Sequence, residues 1–194
     1  METDSKPAGQ RVCLYSAEEL DAVLDAMARR LAAWLEPAQP LALIGLLRRG
    51  EPLARMLQQR LAAQQGLAAQ QGLAAPLYPL KVKRYADDLR LLHAETALEE
   101  NPALAGLELP ATRLLVVDDV LYGGHSLLRV CAYLARLGAR EVRTAVLVDR
   151  CVGTQPIHAD VIGVRLQIAP GDIVECNVPP YEAEFRIDLL RRTP

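Results

Sequence analysis

Aromatic residues are scarce in this sequence, with one Trp, one Phe and six Tyr among 194 positions. Leu, Val and Ala must therefore fill most of any core. Charge of one sign is lacking too. The formal net charge is -2, with acids and bases interspersed, which gives no electrostatic reason for broad nucleic-acid binding. No apolar run is long enough to cross a bilayer, and the opening METDSKPAGQ lacks the basic and apolar stretches of a signal peptide. A cytoplasmic location without membrane contact is the expectation. The four cysteines form no CxxC pair, and none of the three histidines stands at ligand spacing from one. That excludes a zinc site and leaves Cys13, Cys131, Cys151 and Cys176 as ordinary core or boundary thiols.

What is present is 51% hydrophobic and 24% charged, the balance of an ordinary globular protein. Residues 11–190 are expected to form one domain with a substantial core, behind a mobile tail over 1–10. Ser16-Ala17-Glu18-Glu19 is a capping box. Leu20, Val23, Leu24, Met27, Leu31, Trp34 and Leu35 then recur on one helical face until Pro37. Leu41 to Leu46 reads as a buried parallel strand, followed by Arg48-Arg49-Gly50 and a helix opened by Glu51-Pro52. That helix meets a six-residue unit repeated through 61–75, an insert that either extends the helix or loops out. A strand over 77–84 leads to Tyr85-Ala86-Asp87-Asp88-Leu89, and 86–110 is expected to be a flexible loop. Strand 113–117, a helix from Ser126 to Gly138 and strand 142–148 follow. The βαβ alternation predicts an α/β fold, an open, mostly parallel sheet with helices on both faces. Three apolar runs after Asp160 predict a small strand-rich hood or tail subdomain.

Leu114-Leu115-Val116-Val117 runs into Asp118-Asp119, then Val120-Leu121-Tyr122-Gly123-Gly124-His125-Ser126. Ligands of open α/β sheets sit at strand carboxyl ends. Gly123 and Gly124 permit close approach of the backbone, and the next helix offers N–H groups to an anion. Ser126 adds a hydroxyl. Asp118 and Asp119 would repel a phosphate and suit sugar hydroxyls or Mg²⁺. The pattern fits a ligand with a phosphate at one end and a diol at the other. A plain strand–turn–helix junction, capped by Asp119 or Ser126, is the alternative.

Val116 through Ser126 resembles the phosphoribosyl pyrophosphate motif of type I phosphoribosyltransferases, in which two apolar residues and two acids precede a Thr-Gly-Arg/Lys-Thr loop. Together with Ala145-Val146-Leu147-Val148-Asp149-Arg150 and Pro156-Ile157-His158-Ala159-Asp160-Val161-Ile162-Gly163, it is most similar to the bifunctional pyrimidine-operon attenuator/uracil phosphoribosyltransferases. Tyr85-Ala86-Asp87-Asp88-Leu89 is similar to their Tyr-Arg-Asp-Asp-Leu segment, and Arg48-Arg49-Gly50 falls at their pyrophosphate loop. The resemblance spans about 12–190 and is strongest over 113–163. It implies the type I phosphoribosyltransferase fold and a Mg²⁺-assisted attack of a nucleobase nitrogen on phosphoribosyl pyrophosphate, with pyrophosphate leaving. Carried over, Arg49 and Gly50 hold pyrophosphate with Arg48 beside them in the substrate site, Asp118 and Asp119 hold ribose and metal, and Gly123, Gly124, His125 and Ser126 hold the 5-phosphate. Tyr85 also belongs to the substrate site so implied. Segment 86–110 becomes a hood that closes over the site. Val161 stands where many relatives carry a ring that stacks on the base, with Ile162 beside it.

The chain departs from that pattern at several places. Gly123 replaces a threonine, His125 a permanent cation, Ala86 an arginine, and Cys151-Val152-Gly153-Thr154-Gln155 does not match the family's Gly-His-Arg-Glu-Leu. Tyr122 either lines the base pocket or packs beside the loop. Asp149 and Arg150 either recognise the base or form a surface ion pair. Two readings stay open. One is a phosphoribosyltransferase acting on uracil or on hypoxanthine/guanine. The other is a catalytically weak homologue that senses phosphoribosyl pyrophosphate or a nucleotide and regulates a partner. RNA binding is not favoured, since Glu18, Glu19, Asp21 and Asp25 accompany Arg29 and Arg30 on the first helix. Relatives of this fold commonly associate, so a homo-oligomer is expected.

Overall fold

Ser16 accepts from the Glu19 N–H while the Glu19 carboxylate accepts from the Ser16 N–H, so the predicted capping box opens helix α1, Ala17–Ala32. This is a computed structural model, and it describes residues 9–35, 39–65, 75–83, 97–169 and 171–191. Tyr85 to Leu89, most of the repeat over 61–75 and the first part of the expected hood lie outside those residues. The strands are β1 (Gln10–Tyr15), β2 (Leu41–Leu47), β3 (Leu77–Lys83), β4 (Ala97–Glu99), β5 (Arg113–Leu121), β6 (Glu141–Asp149), β7 (Val161–Arg165), β8 (Ile173–Asn177) and β9 (Arg186–Arg191). The other helices are α2 (Gly50–Gln65), α3 (His125–Arg136) and a 3₁₀ turn over Pro102–Gly106. Segment 97–110, expected as part of a loop, thus carries a strand and that turn. Gly138, with φ 98°, follows the end of α3 in the left-handed conformation expected of a helix stop.

The main sheet has the order β4-β3-β2-β5-β6-β7 and is parallel except for β4. Its apolar strands alternate between two cores. Leu43, Leu115, Val117 and Leu147 pack under α1 and α2, while Ile44, Leu114, Val116 and Val146 pack under α3. Both faces are covered, which is why these strands read as continuous hydrophobic runs. A second, antiparallel sheet has the order β1-β9-β8. The apolar runs after Asp160 are therefore divided: β7 completes the main sheet, and only β8 and β9 join the small one. The third strand of the small sheet is β1, which begins inside the expected tail. Asp188, 2% exposed, accepts from Asn177 Nδ2 at 2.9 Å and Arg186 Nε at 2.8 Å and ties β8 to β9. Val174, Cys176, Val178 and Ile187 insert into the same core as α1 and α2, so the small sheet is packed on the domain.

Among the described residues no helix is long and apolar enough to cross a membrane. Two of the acids on α1, Asp21 and Asp25, are tied to the neighbouring helix. They grip Arg60 of α2 at 2.7 and 2.8 Å. Trp34 is only partly buried; its indole donates to Glu141 at 3.0 Å and lies within 5.5 Å of the guanidinium carbons of Arg113 and Arg143. Cys13 and Cys151 are exposed and Cys176 is buried.

Candidate functional site

Three parallel strands end at one edge. β2 runs into Arg48-Arg49, β5 into Tyr122-Gly123-Gly124 and β6 into Arg150. From β2 the chain passes to β3 on one side, and from β5 to β6 on the other. The crevice between the ends of β2 and β5 is thus the topological switch point, where open α/β sheets bind ligands.

β5 is longer than its apolar run predicts, because β6 stays paired with it as far as Leu121 and Asp149. Asp118 and Asp119 therefore stand on the sheet, and only Tyr122-Gly123-Gly124 is left as the turn. The Asp119 N–H donates to Asp118 Oδ1, and the Val120 N–H to Asp119 Oδ1, each at 2.9 Å. Burial, and after it the charge of Asp119, lifts the Asp118 carboxyl well above the usual range. Burial also raises Asp119, opposed by the cation of Arg49. Asp118, with a like charge beside it and no cation opposing, is the more strongly raised of the two.

Gly124 caps α3 with φ 85°, a left-handed conformation that glycine adopts without strain, and no side chain caps the helix. The first N–H groups of α3 are left for an anion. A cavity opens over this turn, with Asp118, Tyr122, Gly123, Gly124, His125 and Ser126 in its wall.

The other side of the crevice holds groups that no sequence pattern marked. Glu182, in the β8–β9 connection, grips Arg49. Its oxygens lie 3.1 and 3.2 Å from Nε and 2.7 Å from Nη2. It also accepts the Val178 N–H at 2.8 Å. Burial works against the Glu182 carboxylate, but Arg49 and the Val178 N–H hold it below its ordinary value. Arg48 lies 5.4 Å over the ring of Tyr181. Cys176 sits behind this cluster, its thiol pushed well up by burial and then by the charge of Asp119. The only trace of all this in the sequence is Pro179-Pro180, whose cis peptide lies in the connection that carries Tyr181 and Glu182 over β2.

Gly50 is where the backbone must pass closely. A Cβ there would stand 2.5 Å from the Val117 carbonyl oxygen and 3.2 Å from Asp118 Cα. Gly50→Ala is expected to cost about 2 kcal/mol and to displace the acidic pair from Arg49. Thermal denaturation and turnover of the variant check both effects.

Arg150 is 2% exposed, donates its N–H to the Leu121 carbonyl and places its guanidinium 5.4 Å from the ring centre of Tyr122. Its Nε has no hydrogen-bond partner among the described residues, and burial pushes its pKa down. It is no surface ion pair. Asp149 turns to its own loop, accepting the Cys151 N–H at 2.8 Å, with Arg165 at 3.9 Å. The structure corrects Val161 and Ile162. Both are core residues at the start of β7, 6% and 8% exposed, one in each hydrophobic cluster. The ligand edge of β7 is its other end, at Arg165, so neither side chain is placed to stack on a base.

A sheet of this order, with paired acids and a glycine turn at its switch point, defines a phosphoribosyl-binding class of protein, and comparison bears this out. The family model described as phosphoribosyl transferase domain matches residues 16–184. The chain belongs to the type I phosphoribosyltransferase family and is PyrR-like within it. It is 32% identical to the bifunctional protein PyrR of Elusimicrobium minutum over 183 residues, 91% of this chain and 95% of that protein. It is 31% identical to that of Deinococcus radiodurans over 181 residues, 93% and 94% of the two chains. In fold it is similar to hypoxanthine phosphoribosyltransferase from Trypanosoma cruzi in complex with the product IMP, with a TM-score of 0.68, 16% identity and coverage of 96% and 93%.

Proposed function

We propose that this phosphoribosyltransferase joins uracil to phosphoribosyl pyrophosphate and releases pyrophosphate, with the reaction at the crevice between β2 and β5. The observation that carries the reading is the convergence at that edge of the Asp118–Asp119 pair, the Arg49-Gly50 backbone packed against Val117 and Asp118, and the glycine turn. The PyrR-like relatives favour a pyrimidine as the base and a regulatory role in pyrimidine metabolism.

In this reading Asp118 and Asp119 accept from the ribose hydroxyls, the Gly123–Ser126 turn holds the 5-phosphate, and Arg48 and Arg49 hold the departing pyrophosphate. The β8–β9 connection, already closed on Arg48 and Arg49, keeps water from the reacting carbon. Arg150 at the end of β6 and Tyr122 at the end of β5, cation over ring, flank the place of the base. The donor set suits Mg²⁺. Two adjoining carboxylates, both raised chiefly by burial, would hold a hard cation that takes its remaining ligands from water and substrate oxygens. Mg²⁺ so held would neutralise charge building on pyrophosphate.

A weak-homologue reading has one observation in its favour: the guanidinium assigned to pyrophosphate is engaged by Glu182. A carboxylate and a pyrophosphate oxygen compete for the same fork. Glu182→Gln is therefore expected to tighten pyrophosphate binding about 5-fold, measured by titration calorimetry. The outward acids of α1, two of them tied to Arg60, speak against RNA on that face. Association into a homo-oligomer remains part of the proposal, on the fold's kinship alone.

Pyrophosphate release from phosphoribosyl pyrophosphate with Mg²⁺ and a panel of nucleobases tests the function. Turnover with uracil is expected. Turnover with no base, alongside thermal stabilisation by phosphoribosyl pyrophosphate, would replace the enzyme by the sensor.

A further inference from the structure

Residues 151–155 match the family's segment least, and the proposed reaction gives them no task. The structure lays them against the phosphate turn. The Gly123 carbonyl oxygen accepts from the Thr154 N–H at 3.1 Å, the Gln155 N–H at 3.2 Å and the Thr154 hydroxyl at 3.3 Å. Thr154 Oγ1 and Gln155 Nε2 each lie 3.5 Å from His125 Nε2. A Cβ on Gly124 would meet Ile157 Cγ2 at 2.9 Å and Gln155 Cβ at 3.2 Å. The strap thus bonds to Gly123, approaches the His125 ring and leaves no room for a side chain on Gly124.

We infer that Thr154 and Gln155 are positioning residues for the anion site, holding the Gly123–Gly124 peptide with its N–H turned toward the ligand. The C=O and N–H of a trans peptide point in opposite directions. Gly123, Gly124 and Ser126 line the cavity, whereas Thr154 and Gln155 are not in its wall. A carbonyl drawn to the strap is drawn away from the cavity, and the Gly124 N–H then faces into it. Two consecutive glycines cannot fix this peptide by themselves, because glycine crosses between backbone regions at little steric cost. A flipped peptide would aim an oxygen at the phosphate. The strap supplies from outside the turn the rigidity that a side chain at position 123 would otherwise give.

This inference rests on the turn being the 5-phosphate site, and the test separates the two. Ribose 5-phosphate and inorganic pyrophosphate are titrated into the wild type, Thr154→Pro, Thr154→Val, Thr154→Ser and Ser126→Ala. Thr154→Pro removes an N–H and the hydroxyl and is expected to weaken ribose 5-phosphate about 10-fold, leaving pyrophosphate affinity unchanged. Thr154→Val, without the hydroxyl only, should weaken it about 3-fold, and Thr154→Ser should bind as the wild type does. In ¹⁵N-resolved spectra the Gly124 amide proton should move downfield with ribose 5-phosphate, and less so in Thr154→Val. That readout stands even if Thr154→Pro fails to fold. Undiminished binding in both Thr154→Pro and Thr154→Val, with Ser126→Ala weakened, would overturn the strap and keep the phosphate site. Undiminished binding in Ser126→Ala as well, with no Gly124 shift, would overturn the phosphate site and the strap with it.

Discussion

Replacing Asp118 and Asp119 together by Asn is expected to lower kcat/KM by about 10³-fold, and to make the protein more stable. The loss follows from removing both acceptors for the ribose diol and both carboxylates for the metal. The gain follows from their raised pKa values. An acid whose pKa is raised by folding binds its proton more tightly in the native state than in the unfolded chain. Native stability then falls as pH climbs from the ordinary carboxylate range through the raised values. At neutral pH the pair is a burden on the fold, and the Asn variant should unfold about 1 kcal/mol later with that stretch of pH dependence gone. Mg²⁺, in competition with protons for the two carboxylates, should stabilise the wild type more at pH 8 than at pH 5. Denaturation across pH, with and without Mg²⁺, measures the three effects on stability, and the rate of pyrophosphate release measures the loss in kcat/KM.

Arg49→Gln is expected to be costly in both currencies. A charged hydrogen bond to an oxyanion contributes about 1.5–3 kcal/mol, so pyrophosphate affinity should fall about 100-fold. The variant also takes from Glu182, whose side chain is 11% exposed, its ion pair, leaving it the Val178 N–H and the more distant charge of Arg48. Removing one partner of a largely buried pair destabilises by about 3 kcal/mol. Adding Glu182→Gln should recover most of that stability and none of the pyrophosphate binding. Urea denaturation and competition with pyrophosphate separate the two roles, one in the fold and one in the ligand site.

The helical face of α1, its capping box and the buried runs of β2, β5 and β6 were legible because they follow from local periodicity. So was the acidic pair before a glycine turn, a local motif at a strand end. Three things were not legible, each for a physical reason. The length of β5 depends on a partner strand: only pairing with β6 carries it past Val117 to Leu121. Val161 was aligned by type to a base-stacking position, but register sets its place, and opposite Ala145 it falls inside the sheet. Glu182 and the strap at Thr154 are far from their partners in sequence, Glu182 being 133 residues from Arg49. No pattern within a short window can report such a contact. Part of the expected hood is also built differently, since the small sheet takes β1 from the chain's opening and β8 and β9 from its end.

The most direct test of the central claim is titration of phosphoribosyl pyrophosphate, in Mg²⁺, into the wild type and the Asp118→Asn/Asp119→Asn variant. Saturable binding by the wild type, lost in the variant while its fold grows more stable, is the predicted result. Equal binding by both proteins would contradict it and place the phosphoribosyl site somewhere other than the edge between β2 and β5.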